Sequence, residues 1–200
     1  MRASTQEKRT RIIEVATELF IDQGYKDTSL DQIVAICGGS KQTLYRYFSN
    51  KEGLFIEVLE YNIKNSFDPV FQLAEIQNES LQLTLETFAL NYLKKMCANP
   101  LVGLFRIICA DFNKHSTIPQ SFWETGPLRI HQSMIAFLKS ERVTHSLHIE
   151  DAELACAQLL SLIKLDYYSM ALLGLALPDD EQLAKHVKKA VATFLKGYQK

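Results

Sequence analysis

Between Ser40 and Phe48 the chain reads SKQTLYRYF, and its polar side chains are of the kinds that recognise nucleic-acid bases. Lysine donates to guanine, glutamine bonds adenine through both amide atoms, and the threonine methyl suits the thymine methyl. Lys41, Gln42, Thr43 and Tyr47 are therefore candidate base readers, and Arg46 suits either a base or a phosphate. The alternative for all of them is an ordinary solvated helix surface. Leu44 and Phe48 stand four residues apart, so a helix here would turn those two inward.

Such a helix needs elements to present it. Ser40 is a good N-cap, and Gly38 and Gly39 permit a sharp turn before it. Ile12, Ala16, Leu19 and Phe20 make one apolar helix face, and Gly24 supplies its stop. Ser29 and Gln32 have capping-box spacing ahead of a second helix carrying Leu30, Ile33 and Val34. Ser49 and Glu52 repeat that spacing and predict the start of a fourth helix. The pattern is that of a helix-turn-helix.

The segment resembles the TetR/AcrR family of one-component transcriptional regulators. The resemblance rests on Arg11, Ala16, Leu19, Phe20, Gly24, Tyr25, Thr28, Ile33, Gly38, Ser40, Thr43, Leu44, Tyr45, Tyr47, Phe48, Lys51 and Leu54. It implies DNA contact by the head, with Thr28, Tyr45 and Lys51 on phosphates. Elementary electrostatics agrees for Lys51, which falls in a helix's first turn, where free N–H groups and the dipole attract an anion. One departure lies at the turn, where the family usually has Ala-Gly-Val-Ser and this chain has Cys37-Gly38-Gly39-Ser40. Gly39 omits an apolar plug of the small core, and Val34 is larger than the alanine common at its position.

Two hundred residues with 47% hydrophobic content suffice for a substantial core. The formal net charge is −1, which excludes a generally basic coat. Residues 1–51 carry eight Lys and Arg against six Asp and Glu, a small local excess suited to a few phosphate contacts. Arg2, Lys8, Arg9 and Arg11 form a basic arm that either touches DNA or is solvated. The N-terminus is polar with no signal-like apolar run, and no membrane span is evident, so the expectation is a cytoplasmic protein. Cys37, Cys97, Cys109 and Cys156 lie far apart in apolar patterns and read as buried free thiols.

The remainder reads as helix throughout. Apolar-patterned segments fall near 52–66, 69–77, 80–97, 101–114, 119–141, 150–176 and 180–197, with prolines at breaks between them. The expected fold is all-α, about nine helices, with a helix-turn-helix domain at 1–51 and a ligand-binding and dimerisation domain at 52–200. The run from Asn99 to Arg129 resembles the C-terminal domain of an AefR-like subgroup, through Arg106, Asp111, Pro119, Phe122, Trp123, Gly126, Pro127 and Arg129 in order. That resemblance implies a ligand pocket among the middle helices and a homodimer through the last two. The 150–176 and 180–197 segments support the dimer by their excess apolar surface.

Phe88, Tyr92, Phe105, Phe122, Trp123, Met134, Phe137, Tyr167 and Met170 are candidate pocket residues, with ordinary core as the alternative. Arg106 would anchor a polar or anionic end of a small hydrophobic effector, or else pair with Asp111 or Asp166. No nucleophile–base set, phosphate loop or carboxylate pair suggests catalysis, and His145, His148, Glu150 and Asp151 are a weak case for a metal. No enzyme activity, cofactor or metal is expected. The reading is a regulator that binds a double-stranded operator as a homodimer, a repressor relieved by an effector. Its rival is an architectural or adaptor DNA-binding protein without an effector.

Overall fold

A computed structural model describes residues 5–71, 80–112 and 116–200. Arg2 and residues 72–77 of the expected 69–77 segment lie outside these. The fold is all-α. Among the described residues there are twelve helices where the periodicity predicts about nine.

The head begins with α1 (Thr5–Asp27), interrupted at Gly24, whose φ of 84° stops the regular helix as the sequence requires. The hydroxyl of Thr28 donates to the carbonyls of Gly24 and Leu19 at 2.8 and 3.1 Å, closing the end of that helix. Next come α2 (Leu30–Cys37) and α3 (Lys41–Phe48). The capping box forms: Ser29 N–H donates to Gln32 Oε1 at 2.7 Å, and Gln32 N–H donates to Ser29 Oγ at 3.2 Å. Gly38 and Gly39 both take positive φ, 68° and 131°, so the turn is built on a backbone open to glycine.

α4 (Lys51–Phe71) starts differently from expectation. Asn50 is its cap, its Oδ1 accepting the Gly53 N–H at 2.7 Å. Ser49 instead ends α3 at φ 59°, and Glu52 is drawn away to accept from the hydroxyls of Ser116 and Thr117. α4 also runs on through Pro69, where a break is predicted. A proline near a helix end removes one ladder donor without preventing the last turn.

Two compact units emerge, with the division falling inside α4. The first holds residues 1–65 and 99–126, and so includes α6 (Leu101–Asp111) and α7 (Ile118–Thr125). α6 packs along α1, and Gly103 permits their close approach, since a Cβ there would stand 3.0 Å from Ile21. Phe20, Tyr25, Phe55 and Phe112 form one aromatic cluster, with ring centroids 4.6–5.7 Å apart.

The second unit holds residues 66–98 and 127–200. It contains α5 (Leu81–Cys97), α8 (Pro127–Leu138), the single turn α9 (Glu141–Thr144), α10 (Ala152–Lys164), α11 (Tyr167–Leu173) and α12 (Asp180–Tyr198). α12 packs on α5 and α10 through Leu183, Val187, Val191 and Phe194. The predicted 119–141 helix is two, parted at Gly126, and the predicted 150–176 helix is two, parted at Leu165 with φ 41°. An apolar period identifies a face but does not detect a local break in the helical backbone.

Of the four cysteines only Cys156 is buried; Cys37 and Cys97 are half-buried and Cys109 is exposed. Burial pushes the Cys97 and Cys156 thiols up to about 11, which keeps them protonated at neutral pH.

Candidate nucleic-acid interface

α3 is held by Leu44 and Phe48, 1% and 3% exposed, so its remaining surface is fixed by those two anchors. Lys41, Gln42, Tyr45 and Arg46 are exposed, while Thr43 and Tyr47 are half-buried. Ser40 caps the helix by accepting Thr43 N–H at 3.2 Å, and its Oγ lies 3.1 Å from Thr43 Oγ1. Arg46 lies over the Tyr47 ring, 5.4 Å from its centroid, and both project from the second half of the helix.

Beside α3 is a hollow of about 460 Å³ lined by Lys26, Thr28, Ser29, Leu30, Asp31, Lys41, Tyr45, Asn50 and Lys51. It gathers the starts of α2 and α4, two lysines from the candidate DNA face, and a third from the end of α1. Helix N-termini and ammonium groups at one concavity suit a phosphate. Of the residues that the resemblance implies on phosphates, Tyr45 and Lys51 offer side chains here. The Thr28 side chain is buried and its hydroxyl is committed to α1, so Thr28 builds the wall of the hollow.

Lys51 is the best defined of these cations. Its Nζ donates to the Lys26 carbonyl at 3.1 Å and lies 4.5 Å from the Tyr25 ring centroid. Partial burial lowers its pKa, against the opposing pull of Asp27 and Asp111. Lys41 is held differently, by an ion pair of 2.6 Å with Asp31 that joins α3 to the first turn of α2. Hydrogen bonding to Asp31 raises the Lys41 pKa. Spacing alone does not reveal this pair, because Asp31 and Lys41 stand on different helices.

The expected basic arm divides. Arg9 pairs with Glu57 and lies over the Phe48 ring at 5.6 Å, so it belongs to the head's own packing. Lys8 and Arg11 are exposed. Gly39, which lacks the family's usual side chain, sits beside a cavity of about 20 Å³ lined also by Ile12, Val34, Cys37 and Leu44. That is room for about one water.

The candidate ligand residues fall in both units. In the first, Phe105 and Phe122 meet at 5.3 Å, Arg106 is on the exposed side of α6, and Trp123 is 51% exposed. Asp111, one suggested partner for Arg106, is engaged with Tyr25 and Lys26. In the second, Phe88, Tyr92, Met134 and Phe137 are buried, and Tyr167 and Met170 are half-buried. Phe88 and Tyr92 stack at 5.6 Å, and burial raises the Tyr92 pKa well above that of an ordinary phenol. Tyr167 packs edge-on against His186.

Residues 12–58 match the family described as bacterial regulatory proteins of the tetR family. Residues 83–200 match that described as AefR-like transcriptional repressor, C-terminal domain. Among solved structures, the flavonoid-responsive regulator FrrA is 30% identical with a TM-score of 0.79, over 97% of this chain and 98% of that one. A TetR-family transcriptional regulator from Mesorhizobium loti MAFF303099 shares the fold over 100% of both chains, with a TM-score of 0.88 at 24% identity. The transcriptional activator FasR of Mycolicibacterium smegmatis is 32% identical over 81 residues, 40% of this chain. The match spans 37% of FasR's own length.

The Asp31 pair has a direct consequence. In Asp31→Asn the Lys41 pKa moves back down toward the ordinary lysine value, as followed by NMR titration of labelled lysine side chains. An unchanged titration would show that the pair does not persist in solution.

Proposed function

The chain belongs to the TetR family of bacterial regulatory proteins, and from that premise we propose a ligand-responsive repressor that binds a near-palindromic operator as a homodimer. The observation that carries the proposal is the exposed polar face of α3 standing beside a hollow ringed by Lys26, Lys41 and Lys51. DNA contact is assigned to residues 1–51, and ligand binding and dimerisation to 52–200. Lys41, Gln42, Thr43 and Tyr47 read base edges, with Ser40 at their cap. Tyr45 and Lys51 bind phosphates, and Arg46 serves either role. Phosphate contacts fix position and register, whereas base contacts select sequence. Repression follows the AefR-like repressor match; FasR, an activator, matches a smaller part of the chain. The protein acts in the cytoplasm, where its DNA is; among the described residues no helix is long and apolar enough to cross a membrane.

A two-fold operator asks for a two-fold protein. A groove of about 510 Å³ between α10 and α12 is lined by Leu162, Leu165, Phe194 and Tyr198, among others, and Leu165 is 57% exposed. An exposed apolar seam between two helices is the surface on which a second copy would pack. The effector is a small, mainly hydrophobic molecule, with Phe88, Tyr92, Met134, Phe137, Tyr167 and Met170 as its candidate contacts in the second unit. Phe105, Arg106, Phe122 and Trp123 are candidates in the first. The flavonoid response of FrrA, a relative over nearly the whole chain, supports an effector of aromatic character. Its effect on DNA binding is its differential affinity for two states of the protein.

Three outcomes are expected. Lys51→Ala weakens binding to all duplexes and lowers the salt slope by about 0.9, whereas Gln42→Ala changes which duplex selected from genomic fragments is preferred. Binding measured across a salt series separates the two, and an unchanged affinity and slope in Lys51→Ala would remove the phosphate assignment. Sedimentation at micromolar concentration gives twice the 22.8 kDa chain mass, and Leu165→Glu shifts it toward one. A clean monomer of the parent chain contradicts the dimer. Thermal-shift screening of hydrophobic and aromatic small molecules yields a ligand whose affinity falls in the presence of operator, by the same factor by which it lowers operator affinity. A ligand indifferent to DNA would favour the architectural reading.

A further inference from the structure

Asp111 is the last residue of α6, 86 positions from Tyr25 in sequence and outside the helix-turn-helix. Local helix physics does not favour it there, because a carboxylate at a helix C-terminus faces the negative end of the dipole. Nor does a DNA-facing neighbourhood favour a negative charge. Its partners explain it. Asp111 Oδ2 accepts the Tyr25 N–H at 3.3 Å, and Oδ1 meets Lys26 Nζ at 3.1 Å. The Asp111 side chain is 16% exposed and that of Lys26 is 73%, so the bond to the Tyr25 backbone is the better shielded of the two. The next residue, Phe112, packs on the Tyr25 ring at 4.6 Å, which fixes the same residue from its side chain.

Two groups in contact with the Lys51 ammonium belong to these two residues. One is the Lys26 carbonyl, 3.1 Å from Nζ, and the other is the Tyr25 ring, 4.5 Å from it. Lys26 and Lys51 line the same hollow beside α3. A lysine on a flexible four-carbon stem gains much from such pre-ordering, since the rotamers it would otherwise lose on meeting a phosphate are already restricted.

We propose that Asp111 is a positioning residue for DNA binding: by fixing Tyr25 and Lys26 it holds Lys51 ready for a phosphate, and it ties the strength of that contact to the end of α6. The inference rests on the regulator reading given above and adds a residue outside the DNA-facing helices. Any displacement of the end of α6 would release Lys51 without touching α3, so sequence preference would survive while affinity fell.

A phosphate contact acts on every sequence, so the test needs no operator. Binding of a long mixed-sequence duplex is measured across a salt series for the parent chain, Asp111→Ala, Lys51→Ala and the double variant, with circular dichroism to confirm that each is folded. Asp111→Ala, which removes the acceptor of the Tyr25 N–H that an asparagine would keep, is expected to bind several-fold more weakly and to lose about 0.9 of the salt slope, and to cost nothing further once Lys51 is alanine. A carboxylate that acted only through its charge would give the opposite sign, because removing it would tighten binding to a polyanion. Should Asp111→Ala fail to fold, Asp111→Glu keeps the charge and displaces it by one methylene, and the same loss and the same dependence on Lys51 are expected. Binding as tight as the parent's, or a loss undiminished in the Lys51→Ala background, overturns the inference. A parent chain that binds no duplex at all overturns the regulator reading and this inference with it, whereas a parent that binds through Lys51 but ignores Asp111 overturns this inference alone.

Discussion

An eight-residue helix does not hold its shape in water, where isolated helices need about 12–15 residues to be even marginal. α3 has eight, and so does α2. Everything that α3 could present to a partner therefore depends on its burial of Leu44 and Phe48. Such side chains contribute about 1.5–3 kcal/mol each when fully buried, together comparable to the roughly 4 kcal/mol that nucleating a helix costs. Ser40 adds a cap bond, and Arg9 covers Phe48 from outside. The polar face is thus a by-product of two anchors and a cap.

The other features of the proposed DNA face are secured by the same means, from farther away. The hollow beside α3 is formed where α1 stops at Gly24, where α2 begins at its capping box and where α4 begins at Asn50. The stop at Gly24 is kept in place by the Thr28 hydroxyl and, through Tyr25, by Asp111 and Phe112 at the end of α6. Glu52 adds a second tie between the start of α4 and Ser116 and Thr117 ahead of α7. The first unit is accordingly larger than the helix-turn-helix alone, and residues far away in sequence set the geometry of its cations.

In the second unit the constraint is apolar area. α10 and α12 share one face, yet a groove lined by leucines and aromatic residues is left between them. Leu165 takes a positive φ at the break between α10 and α11, a conformation unusual for a branched side chain, and it remains exposed there. The strain and the exposure coincide at one residue of the groove proposed for the dimer.

The sequence by itself determined the all-α class, the helix-turn-helix, the glycine turn, the cap at Ser40 and the burial of Leu44 and Phe48. Each of these is a local rule read over a few residues: a period, a capping side chain, or a backbone that only glycine takes easily. It also carried the family, since the spacing of the head residues is local too. Tertiary structure decided what depends on residues brought together from different helices. It replaced the Ser49–Glu52 box with an Asn50 cap, because Glu52 found the hydroxyls of Ser116 and Thr117. It divided the 119–141 and 150–176 helices at Gly126 and Leu165, because an apolar period is blind to a local break in the backbone. It drew Arg9 into the head's packing and paired Lys41 with Asp31. It also placed Asp111 on the backbone of Tyr25. A contact between residues 86 apart in the chain leaves no periodic trace, and only the folded packing of α6 on α1 reveals it.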